Sequence, residues 1–346
     1  MTVNQLLIRA DATATIGSGH LMRCLALAQA AKLRGAEVTF ITLCDSDALR
    51  QRLFKEGFHV IALEKAYPDP ADWNLTSKVL RSSTNAWVVL DGYHFDTEYQ
   101  NRIKKAGHRL LVIDDIAHLD CYYADILLNQ NLYAEKLKYS CIKPARMLFG
   151  TQYVLLRSEF LAWRGWKREI AEVAYKILVT LGGSDPTNAT LKIIESIKAI
   201  NISDLEVKIV AGASNPHIND LQSSIQSPPC KMSILQNVTN MPDLMSWADL
   251  AVAAGGITCW EMAFMKLPFA SVVLSDNQSL ISDAVERAGI AVSFGWYNQI
   301  DRLLLAKRLV ALIRDKTARA AISTQGARFV DGRGSDRTIS AMEVEK

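Results

Sequence analysis

The stretch 8–34, IRADATATIGSGHLMRCLALAQAAKLR, decides the fold. Leu6, Leu7 and Ile8 read as the first strand of an α/β unit, and Leu21, Leu25, Ala28 and Leu33 recur behind it at helical spacing. Gly17, Ser18 and Gly19 fill the turn between strand and helix. Glycines let the backbone approach a ligand closely, and the free N–H groups of a helix's first turn attract anions. Ser18 or Gly19 is the expected N-cap, which places His20 in that first turn, above the strand ends. The partial positive charge there disfavours imidazolium, so His20 is expected as a neutral base, although a bound diphosphate would push the other way.

The same alternation extends outward. Residues 37–43 (EVTFITL), 59–63, 86–90 (AWVVL), 109–113 (RLLVI) and 124–128 (ADILL) read as strands, with helices over 47–55, 73–81 and 99–106. Strand, turn, helix, strand in repetition predicts a parallel sheet covered on both faces, with any ligand beyond the carboxyl ends of its strands. Asp91, Tyr93, His94, Asp114, Asp115, Asn129 and Asn131 all fall at such ends, on the same mouth as His20. Strand-end capping accounts for some of them, and Tyr93 and Asn129 are the stronger ligand candidates. The aromatic and basic run WRGWKRE at 163–169 has no second patch beside it and reads as part of a solvated linker over 146–174.

The second half restarts the pattern. Residues 176–181 (KILVTL) are an expected strand, Gly182, Gly183 and Ser184 a turn, and 186–200 a helix. Strands follow over 206–211, 248–254 and 268–274, and helices over 218–225, 241–247, 258–265, 280–288, 302–314 and 316–329. The polar motif GRGSDR at 332–337 is either a cap or a ligand-facing basic patch. The expected division is therefore 1–145, a linker over 146–174, and a second domain over 175–346.

Composition narrows the class. A chain of 346 residues suits two domains, and 49% hydrophobic with 22% charged residues is the balance of a soluble globular protein. The net charge of +3, with bases and acids interleaved, argues against a nucleic-acid or membrane-surface partner. No charged-then-apolar leader opens the sequence and no apolar run is long enough to span a bilayer, so a cytoplasmic protein is expected, and two domains with a cleft would work as a monomer. The six cysteines contain no C-x-x-C pair and no His-x-x-x-His partner, so reduced thiols are expected rather than a disulfide or zinc framework; no cofactor is expected either.

Two Rossmann-like halves facing each other across a cleft would make the arrangement called GT-B. The run AAGGITCWEMAFMKLP at 253–268 resembles the nucleotide site of the UDP-N-acetylglucosamine transferase that makes lipid II. That resemblance implies a diphosphate on Gly256, Ile257 and Thr258 and ribose hydroxyls on Glu261, which suits helix amides and a carboxylate. The first half is more particular. RADATATIGSGH, VLDGYH at 89–94, DILLNQN at 125–131, FGTQYVLLRSEF at 149–160, LGGSDP at 181–186 and DNQS at 276–279 together resemble the pseudaminic acid pathway hydrolases, which remove UDP from UDP-2,4-diacetamido-2,4,6-trideoxy-β-L-altropyranose.

This resemblance spans nearly the whole chain. It implies metal-independent, inverting C–O cleavage at the anomeric carbon. It carries the catalytic histidine onto His20, a tyrosine onto Tyr93 and an asparagine onto Asn277. Gly17, Gly19, Asn129, Gly183, Ser184 and Gln278 complete the expected substrate contacts, with uracil near 212–214. Two departures stand out: His94 follows Tyr93 where small residues occur in the family, and the Gly-Gly-Ile-Thr turn is closer to the transferase. A glycosyltransferase using the same donor is the competing expectation.

Overall fold

The structure is a computed structural model that describes residues 2–212 and 215–344. The chain divides into two compact units, residues 1–158 with 332–346, and residues 159–331.

The first unit is built on β1 (Gln5–Ala10), β2 (Glu37–Thr42), β3 (His59–Ala62), β4 (Trp87–Asp91), β5 (Arg109–Ile113), β6 (Ile126–Asn129) and β7 (Arg146–Phe149), in the order β3-β2-β1-β4-β5-β6-β7. Every pairing is parallel, with Ala10 opposite Asp91 between β1 and β4. Helices α1 (Gly19–Leu33), α2 (Asp47–Lys55), α3 (Pro70–Ser82) and α4 (Thr97–Lys105) connect the first five strands. Ser46, Asp69 and Asp96 cap α2, α3 and α4 with their side-chain oxygens, as short polar residues at helix starts should. Both faces of the sheet are covered: Leu6 and Ile8 point into one apolar cluster, and Leu7 into the other.

The second unit repeats the plan. The chain enters through α5 (Ser158–Leu161) and forms β8 (Lys176–Thr180), β9 (Glu206–Ala211), β10 (Lys231–Gln236), β11 (Leu250–Ala254), β12 (Phe269–Val273) and β13 (Val292–Trp296). Their order is β10-β9-β8-β11-β12-β13, again all parallel. Helices α6 (Ala189–Lys198), α7 (Ile218–Ser224), α8 (Met241–Trp247), α9 (Thr258–Phe264), α10 (Asp276–Arg287), α11 (Arg302–Arg314) and α12 (Lys316–Phe329) enclose the sheet. A last helix, α13 (Gly334–Glu343), belongs to the first unit. Among the described residues no helix is long and apolar enough to cross a membrane.

Several expectations differ from this arrangement. Residues 146–174 are not a free linker: Arg146 to Phe149 pair with β6, and the Arg168 guanidinium ties the following segment to the second unit through the carbonyls of Ala248 at 2.6 Å and Met265 at 3.2 Å. The second domain does not run to 346, because α13 lies along α1 and buries Ile339 and Met342 in the first core, each contributing roughly 1.5–3 kcal/mol. Arg34 holds that helix, donating to Ser340 Oγ at 3.1 Å and Glu343 Oε2 at 2.8 Å. Gly334 has no room for a Cβ, which would collide with the Val154 carbonyl oxygen. The GRGSDR motif thus starts a docked helix. Leu33 is 81% exposed, since five residues carry it roughly 140° around the helix from Ala28.

Candidate active site

In the first sheet the chain turns one way from β1 to β2 and the other way from β4 to β5. The crevice at such a reversal, beyond the carboxyl ends of the strands, is where open α/β sheets bind ligands. His20 follows β1, Asp91 ends β4 and Tyr93 lies two residues beyond. Gly17 turns the chain with φ of 78°, its N–H reaching Thr13 O at 2.8 Å, and α1 starts with Ser18 as N-cap, so His20 sits in the first turn as expected. The Ser18 side chain makes no capping bond.

Asp91 is fully buried and its carboxylate is the hub. His20 Nδ1 lies 2.7 Å from Oδ1, while Arg23 donates from Nε to Oδ2 at 2.6 Å and from Nη2 to Oδ1 at 2.7 Å. Three residues along a helix bring side chains to one face, so Arg23 stands beside His20. Arg23 Nη1 then reaches Asp115 Oδ2 at 2.6 Å, and that oxygen also accepts the Tyr93 hydroxyl at 2.8 Å. Asn131 Nδ2 donates to Asp115 Oδ1 at 2.7 Å. The His20 and Tyr93 rings meet edge-on with centroids 5.0 Å apart.

Burial works against charge on Asp91, but the Arg23 cation and His20 outweigh it and hold the carboxyl well below the usual carboxylate range. Burial likewise opposes charge on Arg23, and Asp115 and Asp91 override it. Burial and then Asp115 push the Tyr93 phenol far up, so it stays protonated. An ionised Asp91 only accepts hydrogen bonds, so Nδ1 of a neutral His20 must carry the proton and Nε2 is left as the acceptor. The Tyr93 O–H is spent on Asp115, leaving its oxygen lone pairs free to accept.

The other candidates on this mouth are engaged in hydrogen bonds of their own. Asn129, expected to touch substrate, is fully buried: its Oδ1 accepts from Asn131 N at 3.0 Å and Nδ2 at 2.8 Å, and its Nδ2 donates to Tyr139 Oη at 2.9 Å. It sets Asn131 under Asp115. His94 Nε2 is 3.0 Å from Asp11 Oδ2, beside a buried Arg9–Asp72 pair. Asp114 holds His118, whose ring lies 5.6 Å from that of Tyr93. Arg23 was missed by the sequence reading; its signal was a lone charge inside the apolar run LMRCLALA, three residues after His20.

The second sheet reverses between β8 and β11. After β8, Gly182 has φ of 98° and Asp185 and Asn188 are also left-handed, so α6 starts at Ala189 rather than at 186. The buried Asp185 carboxylate caps it, accepting from Ala189 N and Thr190 N at 2.9 Å each. Gly183 and Ser184 sit in this turn, with Gly212 so close that a Cβ there would strike the Gly183 backbone. Ala213 and Ser214, expected near a base, lie outside the described residues.

After β11, Gly256 and Ile257 lead into α9 at Thr258, and Glu261 is buried in its first turn. Gly255 is pressed against α10, where a Cβ would stand 2.9 Å from Gln278 O. The turns before α9 and α10 are therefore neighbours. Because α10 begins at Asp276 rather than 280, Asn277 and Gln278 occupy its first turn. Asn277 Oδ1 accepts from Ser275 Oγ at 2.6 Å, and Gln278 Oε1 is spent on Leu274 N at 3.1 Å. The second unit thus gathers Gly183, Ser184, Gly256, Ile257, Thr258, Glu261, Asn277 and Gln278 on loops and first helical turns at the carboxyl edge of one sheet.

Residues 177–330 match the glycosyltransferase family 28 C-terminal domain. The chain is 27% identical over 282 residues to the uncharacterized protein MJ1062 of Methanocaldococcus jannaschii, covering 79% of this chain and 56% of that protein. It is 24% identical to the spore coat polysaccharide biosynthesis protein SpsG of Bacillus subtilis, with 97% of each chain covered. To the UDP-2,4-diacetamido-2,4,6-trideoxy-β-L-altropyranose hydrolase of Campylobacter jejuni it is 23% identical, over 84% of this chain and 99% of that one. Among solved structures, Acinetobacter baumannii MurG superposes with a TM-score of 0.69 at 14% identity, covering 98% of this chain and 99% of its own. The chain is a GT-B-like relative of the UDP-2,4-diacetamido-2,4,6-trideoxy-β-L-altropyranose hydrolases, with a second unit of the glycosyltransferase family 28 kind.

Proposed function

We propose that the chain hydrolyses UDP-2,4-diacetamido-2,4,6-trideoxy-β-L-altropyranose to UDP and the free amino sugar, by inverting attack of water at C1. The observation that carries this reading is the His20–Asp91 pair, which leaves Nε2 of His20 as a proton acceptor at the mouth of the first sheet. The water gives one proton to His20 Nε2 and is oriented through its other hydrogen by the Tyr93 oxygen. The C1–oxygen bond breaks with its electron pair going to UDP.

The second unit takes the leaving group. Backbone amides over 256–258 and the first turn of α10 stabilise the growing diphosphate charge, Gly183 and Ser184 flank it, and Glu261 accepts from the ribose hydroxyls. Asn277 and Gln278 bind hydroxyl or acetamido groups of the sugar. The departing charge is met by amides, so the reading calls for neither a metal nor a cofactor.

The family 28 match over 177–330 favours a second reading, a transferase that passes the same sugar to an acceptor. Turnover in ¹⁸O-labelled water separates the two. Label in the free sugar and none in UDP is the expected result. Label in UDP would mean attack at phosphorus and overturn the reading, and UDP binding without turnover until an acceptor alcohol is added would establish the transferase.

A further inference from the structure

We propose that Arg23 is a positioning residue that keeps both His20 and Tyr93 as proton acceptors, by ligating the two buried carboxylates to which they donate. The proposal rests on His20 being the base of the hydrolysis described above. The chain of contacts is closed: His20 to Asp91, Asp91 to both arms of the Arg23 fork, Arg23 to Asp115, and Asp115 to Tyr93. Arg23 also approaches His20 Nδ1 at 3.3 Å, but a guanidinium has no acceptor, so the Nδ1 proton goes to Asp91.

Charge counting shows what the guanidinium does. Asp91, Asp115 and Arg23 sum to one negative charge, which is matched when His20 takes a proton from water and becomes imidazolium. Without Arg23 the sum is two negative charges around a partly buried ring, so the imidazolium is favoured before any substrate arrives and the base is consumed. Asp115 would also lose the contact that fixes its Oδ2, the oxygen to which the Tyr93 hydroxyl donates. The remaining groups facing His20 are neutral: Tyr93 is a phenol, and the Cys24 thiol, 3.5 Å from Asp91 Oδ2, is pushed far up by burial. His118 stands beyond Tyr93 with its own carboxylate, Asp114. The fork geometry matters as much as the charge, because a bidentate guanidinium fixes the Asp91 carboxylate plane and with it the His20 ring.

The test compares the full-length wild type with R23M, R23K and the double variant R23M/D115N. Two readouts are followed against pH: the acid limb of kcat/KM, and the imidazole ¹⁵N signals of His20 without substrate. R23M is expected to move both upward by about one pH unit relative to wild type, and R23M/D115N, with one negative charge again, to move them back. R23K keeps the charge and loses the fork, so its pH midpoint stays near wild type while kcat falls about tenfold or more. Equal ¹⁵N midpoints in wild type and R23M, or an upward shift that the double variant leaves in place, would overturn the proposal. Should R23M fail to fold, wild-type kcat in R23K would do so. The ¹⁵N readout needs no turnover, so it answers for Arg23 even if the hydrolase reading fails.

Discussion

Asp91 Oδ1 lies 2.7 Å from His20 Nδ1, so the last residue of β4 fixes a ring carried by the first turn of α1. If that ring is the base, His20→Ala removes about 10²- to 10⁴-fold of turnover, the usual contribution of a general base. UDP binding, measured by calorimetry, should stay within about twofold, since the amides and Glu261 expected to hold it lie in the other unit. Full activity in the variant would end the assignment. Asp91→Asn is expected to lose turnover and also about 3–5 kcal/mol of stability, because it strips a buried partner from Arg23.

The ribose contact proposed for Glu261 is testable without turnover. Glu261→Gln keeps the shape of a buried side chain in α9 and removes its charge. UDP affinity should fall by about ten- to a hundredfold, the worth of a hydrogen bond to a charged group. A UDP analogue lacking the ribose hydroxyls should bind wild type and variant equally. Equal loss for both ligands would remove Glu261 from the ribose.

Stability should respond to pH in two separate windows. Burial raises the Asp11 carboxyl, but hydrogen bonds from His94 and Arg9 outweigh it and bring the group down to about 2 from its ordinary 3.8. A depressed carboxyl stabilises above its unfolded value and loses that contribution as pH falls through the folded one, here ~2 kcal/mol lost between about pH 4 and 2. His118 is shifted the other way: burial lowers it, yet the hydrogen bond and charge of Asp114 raise it above 6.5. Its contribution is whole below that pH and is lost as pH rises through the folded value. Urea midpoints should therefore drop below about pH 4, less steeply in Asp11→Asn, and the deficit of His118→Gln should narrow as pH rises through the raised histidine value.

Two glycines carry close approaches that a methyl group would break. Gly334→Ala meets the Val154 carbonyl and should cost the first unit about 1–3 kcal/mol, read as a lower urea midpoint with UDP affinity intact. Gly212→Ala meets the Gly183 backbone and should do the reverse, displacing the 182–188 turn and weakening UDP binding by about tenfold. The same effect of both substitutions on both readouts would contradict this division.

Much of the fold was legible because apolar runs and glycine turns are local signals. The strand before His20 and the strands leading to Asp91 and Asp115 announce themselves by hydrophobic runs, and their order placed Tyr93 on the same mouth. What escaped has physical causes. β10 (KMSILQ) is a half-exposed edge, β13 (VSFGW) contains a left-handed glycine, and β7 has four residues, so none shows a continuous buried run. α13 starts in GRGSDR, whose glycines discourage a helix until tertiary contacts with α1 supply one. Arg23 reads as a blemish in an apolar face, because its two carboxylates come from strand ends 68 and 92 residues away.

The placement of α13 has a consequence for biosynthesis. The second unit is continuous in sequence, so its sheet can be completed as soon as residues 159–331 have emerged from the ribosome. The first unit, although translated first, must wait for residues 334–343 before the core beside α1 is closed by Ile339 and Met342. The half of the molecule that carries His20 is thus the last to be finished. During elongation it holds an uncovered apolar seam, which makes it the segment on which ribosome-associated chaperones would act.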